Sequence, residues 1–226
     1  PPPKTIGRQV HLDYPLDQLV ECIDWTPFFH SWELRGRYPA ILDDEKQGET
    51  ARSLFADAQA MLKRIVDQGL LRAQAVYGLF PAARRGDDIQ LFDPESGTET
   101  MLIPCLRQQR GRKNAANLCL ADFVAETEDF VGCFAVTAGH GLDQLVAEFE
   151  ADDDDYSAIL AKALADRLAE AFAERLHFQV RTGDWGYSDE VFDNEGLIKE
   201  SYRGIRPAPG YPACPDHSVK PALFEF

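Results

Sequence analysis

The chain has 226 residues, which suits one large domain or two small ones, and its apolar content is sufficient for a hydrophobic core. Its net charge of −15 argues against nucleic acid as a partner, because phosphate binding requires a basic surface. No stretch is apolar enough to span a membrane and no signal peptide is recognised, so we expect a cytoplasmic protein with no membrane partner. The cysteines show no paired spacing, which is typical of reduced thiols in the cytosol.

The N-terminal segment is predicted to be a tether. It begins Pro1-Pro2-Pro3 with no methionine, as expected of a piece cut from a larger protein at a proline-rich linker. We therefore predict an interdomain tether over residues 1–12 and a single folded domain over residues 13–226.

Asp24 is the first candidate for a functional carboxylate. It lies between Ile23 and Trp25 and shortly before Phe28, and a carboxylate held at such an apolar wall needs a partner. The alternative interpretation is that Asp24 caps a helix or closes a turn ahead of Pro27.

The pattern of apolar residues predicts a mixed sequence of helices and strands. A helix over about residues 50–68 should stop at Gly69, because glycine is a natural helix terminator. In chain order, the other predicted elements are strands over 73–80, 89–92 and 98–103 with a hairpin turn at 94–97, a strand over 131–137, and helices over 142–149, 156–178 and 194–202. This order predicts an α+β fold with an antiparallel sheet.

Charged segments outside these elements admit plain structural explanations. The polar loop over residues 106–117 contains a basic patch, which could meet an acidic partner or simply be a solvated loop. The four acids at 152–155 are best explained as favourable charge at a helix N-terminus, since the glycine and alternating ligands of a calcium loop are missing.

Two glutamates follow the apolar stripe of the long helix. Glu170 lies on a flank of the helix over 156–178, where the default expectation is an exposed side chain that pairs with Arg167. Glu200 lies at the end of the next predicted helix, just before a proline-rich segment.

The proline-rich segment over residues 206–217 is the main candidate for a ligand-binding loop. It has four prolines within ten residues, which excludes a helix interior or a central strand. We predict a stiff, extended loop that presents Arg206, whose guanidinium can grip a carboxylate, and Tyr211, whose ring offers a flat face with a polar tip. The alternative is a proline-rich surface connector.

No motif for covalent or metal-assisted catalysis occurs in the chain. No histidine has an obvious serine or cysteine partner, so we predict no catalytic residue. Cys214 and His217 have ligand-like spacing, but one such pair does not make a zinc site, and we predict no metal. The residues alone therefore favour a small-molecule binding module with a stiff loop, one cationic clamp and several candidate acids.

Four segments carry a family resemblance: Asp24–Phe29, Asp154–Tyr156, Lys162–Glu174 and Tyr202–Pro215. They resemble the C-terminal activation domain of cobalamin-dependent methionine synthase. The similarity covers nearly the whole chain, and the last segment is highly specific. The resemblance implies a single C-shaped α+β domain with a twisted antiparallel sheet, flanking helices and a shallow groove for S-adenosylmethionine.

The resemblance also implies six ligand-binding residues. Arg206 should hold the methionine carboxylate, and Asp24 should accept from the α-ammonium group. Ala208 should offer backbone groups to the adenine edge, and Tyr211 should frame the ligand. The acids of the same groove, where negative charge would attract the sulfonium, are Glu170 and Glu200.

A role in repair of a methyltransferase follows from the resemblance. In this family methyl passes from methyltetrahydrofolate to homocysteine by way of cobalamin, which occasionally oxidises to inert cob(II)alamin. An electron from flavodoxin or an equivalent reductase, together with methyl from S-adenosylmethionine, restores it. Cobalamin and zinc belong to other modules, so the implied partners are the cobalamin-binding module and flavodoxin. The isolated domain should position the ligand without turnover.

The sequence departs from the family at its end. The family domain continues beyond the position of Phe226 with a tyrosine-containing segment that also contacts the ligand, so we expect a domain truncated at its C-terminal end. The alternative function is therefore a docking module for the cobalamin domain or flavodoxin that binds no ligand of its own.

Overall fold

A five-stranded antiparallel sheet forms the framework of the computed structural model, which describes residues 1–109, 111 and 115–225. The strands are β1 (Gly7–Tyr14), β2 (Arg72–Arg85), β3 (Asp88–Phe92), β4 (Glu99–Ile103) and β5 (Asp129–His140). β1 and β5 pair with opposite edges of β2, and β3 and β4 extend the sheet from the far end of β2. The predicted hairpin of β3 and β4 is confirmed.

The N-terminal segment differs from the predicted tether. Residues 7–12 belong to β1, so the tether prediction is wrong for this part of residues 1–12. β1 was missed because its side chains are mostly exposed or half-buried and only Tyr14 is buried. Backbone pairing with β2 holds this strand, and backbone pairing leaves little trace in the pattern of apolar residues.

β2 is longer than predicted. Pro81 was expected to end the strand, but it pairs with Phe130 and the strand continues to Arg85. Proline lacks only the N–H donor, so a strand can continue through it where that position needs no donor. The strand predicted over residues 131–137 is likewise longer, because β5 pairs along β2 as far as His140.

Within the described part of the chain, three α-helices lie between β1 and β2, and four follow β5. Among the described residues they are α1 (Asp17–Val20), α2 (Trp25–Ser31), α3 (Gly48–Gln68), α4 (Leu142–Ala151), α5 (Asp155–Gln179), α6 (Asn194–Ile198) and α7 (Lys220–Phe224). The predictions of α3, α4 and α5 are confirmed within a few residues. Gly69 ends α3 with a φ of 59°, as predicted. The helix predicted over 194–202 is shorter and ends at Ile198.

Two clusters of buried apolar side chains hold the helices and strands together. The larger lies between helices and sheet and includes Ile65 of α3, Phe172 of α5 and Tyr77 of β2. The smaller contains Ile103 of β4 and Val219 near the C-terminal end of the described chain, with Cys214 and Leu223 packed against it. The α+β prediction is confirmed, and the second cluster anchors the far end of the proline-rich segment.

Asp154 caps α5. Its Oδ1 accepts from the backbone N–H of Ser157 at 3.0 Å, and this bond holds the pKa of Asp154 below its usual value. We expect Asp154→Ala to lower the free energy of unfolding by about 1 kcal/mol, measured by urea denaturation. The exposed neighbour Asp152 provides the control, since Asp152→Ala removes no capping bond and should change stability by less than about 0.5 kcal/mol. Equal losses in the two variants would contradict the capping role.

The structure also bears on the basic loop, the cysteines, and the questions of membrane and metal binding. Arg107 donates to Asp87 and Asp122, so this member of the predicted basic loop is paired within the domain. Arg110, Arg112 and Lys113 lie outside the described residues. The cysteines are free thiols. Across residues 1–109, 111 and 115–225, no helix is long and apolar enough to cross a membrane, and no cluster of residues could hold a metal ion.

Candidate functional site

The C-terminal end of α5 carries the polar side chains of the candidate site. α5 continues into a π-helical turn over Val180–Asp184. This turn is tied to the sheet because Tyr77 Oη donates to Asp184 Oδ2 at 2.8 Å. It is also tied to the N-terminal segment, whose Lys4 and Thr5 backbone N–H groups donate to the Asp184 carbonyl at 2.9 Å. The turn is therefore fixed relative to β2.

Arg206 forms an ion pair with Glu174 of α5. Its Nη2 donates to Glu174 Oε2 at 2.8 Å, and the side chains of Arg206 and Glu174 are only 23% and 12% exposed. Burial raises the pKa of Glu174, although the guanidinium groups of Arg206 and Arg181 oppose part of this rise. The pair fixes the loop that begins at Arg206 to the end of α5.

Arg181 is a second, fully buried cation close to this pair. None of its guanidinium nitrogens has a hydrogen-bond partner among the residues described. Its Cζ lies 4.3 Å from the ring centroid of Tyr202 and 5.8 Å from that of Phe178. These cation–π contacts replace only part of the hydration that the guanidinium loses on burial.

His177 is the buried neutral base of the cluster that it forms with Glu174, Arg181, Tyr202 and Arg206. It is 8% exposed, and its ring meets Tyr202 edge to face at a centroid distance of 4.8 Å. Burial, with help from the charges of Arg206 and Arg181, lowers the pKa of His177 to about 3. The imidazole is therefore uncharged at neutral pH, and the positive charge of the cluster resides on the two arginines.

A cavity of about 600 Å³ opens beside the cluster. Its wall includes Arg206 and Ala208 of the proline-rich segment, His177 of α5, and Trp185 and Tyr187 after the π-helical turn. A largely apolar cavity of this size with a few polar groups at its edge is typical of a small-molecule site.

The proline-rich segment folds back on itself beside this cavity. The Gly210 N–H donates to the Cys214 carbonyl at 2.7 Å, and the Tyr211 N–H donates to the Ala208 carbonyl at 3.1 Å. Gly210 has a φ of 103°, and a Cβ at this position would lie 2.6 Å from His217 Nε2. The segment is therefore braced as predicted, but it is folded into turns and not extended.

The structure brings two of the six predicted ligand-binding residues to the cavity. Arg206 and Ala208 line it, whereas Asp24, Glu170, Tyr211 and Glu200 do not. Asp24 is the N-cap of α2, since its Oδ1 accepts from the Thr26 N–H at 2.9 Å, which matches the capping interpretation.

The remaining predicted residues are exposed. Glu170 points away from the stripe of α5 and pairs with Arg167 at 3.6 Å, as the default expectation had it. Tyr211 is 63% exposed at the tip of the proline-rich segment. Glu200 is exposed and follows α6 with a φ of 51°.

Sequence reasoning missed the residues that surround Arg206. No role was predicted for Glu174, His177 or Arg181. The available signal was the spacing of Glu174, His177 and Arg181, which puts three polar side chains on one face of successive helical turns. That face becomes buried because the later segment that contains Arg206 packs against it.

Comparison with known proteins gives this site a context. The model of the family described as vitamin B12 dependent methionine synthase, activation domain, matches residues 15–226. The chain belongs to this family. A crystal structure of the MetH reactivation domain bound to AdoHcy is 49% identical in sequence and superposes with a TM-score of 0.93. The match covers 100% of this chain and 71% of that chain.

The family assignment confirms the resemblance found in the sequence. It makes this chain a domain of a B12-dependent methionine synthase, which is a methyltransferase. The superposition extends over the sheet and its flanking helices, so the fold predicted from the resemblance is confirmed as well.

Proposed function

We propose that this chain binds S-adenosylmethionine and its demethylated product S-adenosylhomocysteine (AdoHcy) as the reactivation domain of its methionine synthase. One observation carries the proposal. The chain is 49% identical to a reactivation domain with bound AdoHcy, and it holds a half-buried guanidinium, that of Arg206, at the edge of a cavity.

Arg206 at this cavity and Asp24, which does not line the cavity, offer polar groups for the amino-acid end of such a ligand. Arg206 uses Nη2 to bind Glu174 and keeps further N–H groups for a carboxylate. Asp24 uses Oδ1 for its helix cap, which leaves Oδ2 for an ammonium group. We therefore assign the ligand carboxylate to Arg206 and the ligand ammonium to Asp24.

The other predicted contacts belong to the same proposal. Ala208 follows Arg206 by two residues, and its backbone is proposed to meet the adenine edge. Tyr211 is exposed on the same segment and is proposed to cover the ligand. Glu170 and Glu200 are proposed to contribute negative charge that favours a sulfonium.

The role of the domain in its parent enzyme is to present S-adenosylmethionine. We propose that the parent transfers methyl from methyltetrahydrofolate to homocysteine, and that this domain supports the reductive methylation that restores oxidised cobalamin. The cobalamin-binding module and flavodoxin, or an equivalent cytoplasmic reductase, are the proposed partners, and zinc is proposed to lie in another module. The redox and methyl-transfer chemistry belongs to cobalamin when it is bound elsewhere in the parent, while the residues of this chain bind and orient the methyl donor.

Calorimetric titration of the chain with S-adenosylmethionine and with AdoHcy tests the proposal. We expect saturable binding of both, and we expect Arg206→Ala to weaken it at least about tenfold, because a charged bidentate contact to the ligand carboxylate is lost. Arg64→Ala is the matched control, since Arg64 lies on α3 with an exposed side chain. Absence of binding to the folded wild-type chain would overturn the proposal and favour the docking alternative.

A further inference from the structure

The ion pair between Glu174 and Arg206 contains two unused polar atoms that complement each other. Glu174 Oε1 and Arg206 Nε are both buried, and neither has a hydrogen-bond partner among the described residues. They belong to side chains that are already joined by the bond of 2.8 Å from Nη2 to Oε2. A rotation that joins Nε to Oε1 as well would complete a bidentate pair along one side of the guanidinium.

A side-on pair of this kind leaves the opposite end of the guanidinium unoccupied by Glu174, and the Tyr202 hydroxyl is another polar neighbour of Arg206. Nε and one N–H of Nη2 would face Glu174, whereas Nη1 and the second N–H of Nη2 remain for another carboxylate. Arg206 lines the cavity, and Glu174 does not. The free end is therefore the end available to a ligand.

Arg181 provides the charge balance for this arrangement. Burial alone would favour the protonated form of Glu174, and the positive charges of Arg206 and Arg181 both oppose that. The two guanidinium groups and the Glu174 carboxylate together carry one net positive charge. This is the charge that binding a second carboxylate, from a ligand, would neutralise.

We infer that Glu174 is a positioning residue for the ligand carboxylate, because it holds the Arg206 guanidinium side-on and turns its free end to the cavity. The inference rests on the proposed function. Glu174 itself does not touch the ligand, so its effect is confined to ligands that have a carboxylate for Arg206 to bind. That restriction separates positioning from a general contribution to folding.

Two ligands test the inference by calorimetry: AdoHcy, which has the carboxylate, and 5′-methylthioadenosine, which retains the adenosine and thioether but lacks the amino-acid group. We expect Glu174→Gln to weaken AdoHcy binding about tenfold, because the amide holds the guanidinium less firmly than a carboxylate does. Binding of 5′-methylthioadenosine should change by less than about twofold. Glu150→Gln, at an exposed ion pair of α4, is the matched control.

A second variant guards against a simple folding defect. Glu174→Asp keeps the negative charge and should bind AdoHcy more tightly than Glu174→Gln. The inference is wrong if Glu174→Gln binds AdoHcy as well as the wild type, or loses both ligands in equal proportion, or is matched by Glu174→Asp. Failure of the wild-type chain to bind AdoHcy would instead overturn the proposed function itself.

Discussion

Acidification from about pH 7.5 to about pH 4.5 is expected to remove about 3 kcal/mol of folding free energy through His177 alone. The ordinary pKa of histidine is 6.5, whereas burial and the neighbouring arginines lower that of His177 to about 3. The unfolded chain therefore takes up a proton at this residue in a pH range where the folded chain does not. The contribution is fully present above pH 6.5 and is lost as the pH falls towards 3.

Urea denaturation of the wild type and of His177→Leu at both pH values measures this effect. Leucine cannot take up a proton, so the loss of stability on acidification should be about 3 kcal/mol smaller in the variant. The stability of the variant at neutral pH does not affect the test, because the quantity compared is the change in each protein's free energy of unfolding between the two pH values. His140→Leu, which replaces an exposed histidine by leucine, is the control variant. Identical pH dependence in His177→Leu and the wild type would show that His177 is not held neutral.

The elements that were predicted well are those whose buried side chains recur at regular spacing along the sequence. α3 and α5 each bury one continuous stripe of apolar side chains, so spacing alone revealed them. β1 is held mainly by backbone pairing to β2, which has no side-chain signature strong enough to find it. Helix and strand boundaries failed where only tertiary pairing decides them, as at Pro81.

The sequence pointed to Arg206 and Ala208 of the cavity wall, but not to the residues that hold Arg206 in place. Arg206 was found because four prolines mark its loop, and the family resemblance then supplied a ligand. Glu174 is separated from Arg206 by 32 positions, and no local pattern connects an α5 glutamate to a loop arginine. Arg181 was missed because a lone arginine after an amphipathic helix is ordinarily solvated. Its burial depends on Tyr202, which returns to it from a later segment.

Replacement of Arg181 by methionine is expected to stabilise the ligand-free chain by about 1–3 kcal/mol, because a buried polar group without a hydrogen-bond partner costs about that much. The guanidinium is fully buried and its nitrogens have no hydrogen-bond partner in the described parts of the chain. Burial of the guanidinium without such bonds costs more hydration energy than the Tyr202 ring and the attraction of the Glu174 carboxylate return. Methionine fills a similar volume without that cost and can contact the same ring through its sulfur.

Arg175→Met is the matched control for this test, because it makes the same change six residues earlier, on α5, whereas Arg181 lies in the π-helical turn that follows. Arg175 donates to Tyr14 Oη at 3.3 Å and to Gln18 Oε1 at 3.2 Å, so its loss should lower the free energy of unfolding by about 1 kcal/mol. We therefore expect thermal and urea unfolding to show a higher free energy of unfolding for Arg181→Met and a lower one for Arg175→Met. Destabilisation by Arg181→Met would contradict the view that Arg181 lacks partners. Stabilisation accompanied by weaker AdoHcy binding would mean that the chain retains an unfavourable buried charge because the Glu174–Arg206 pair depends on it.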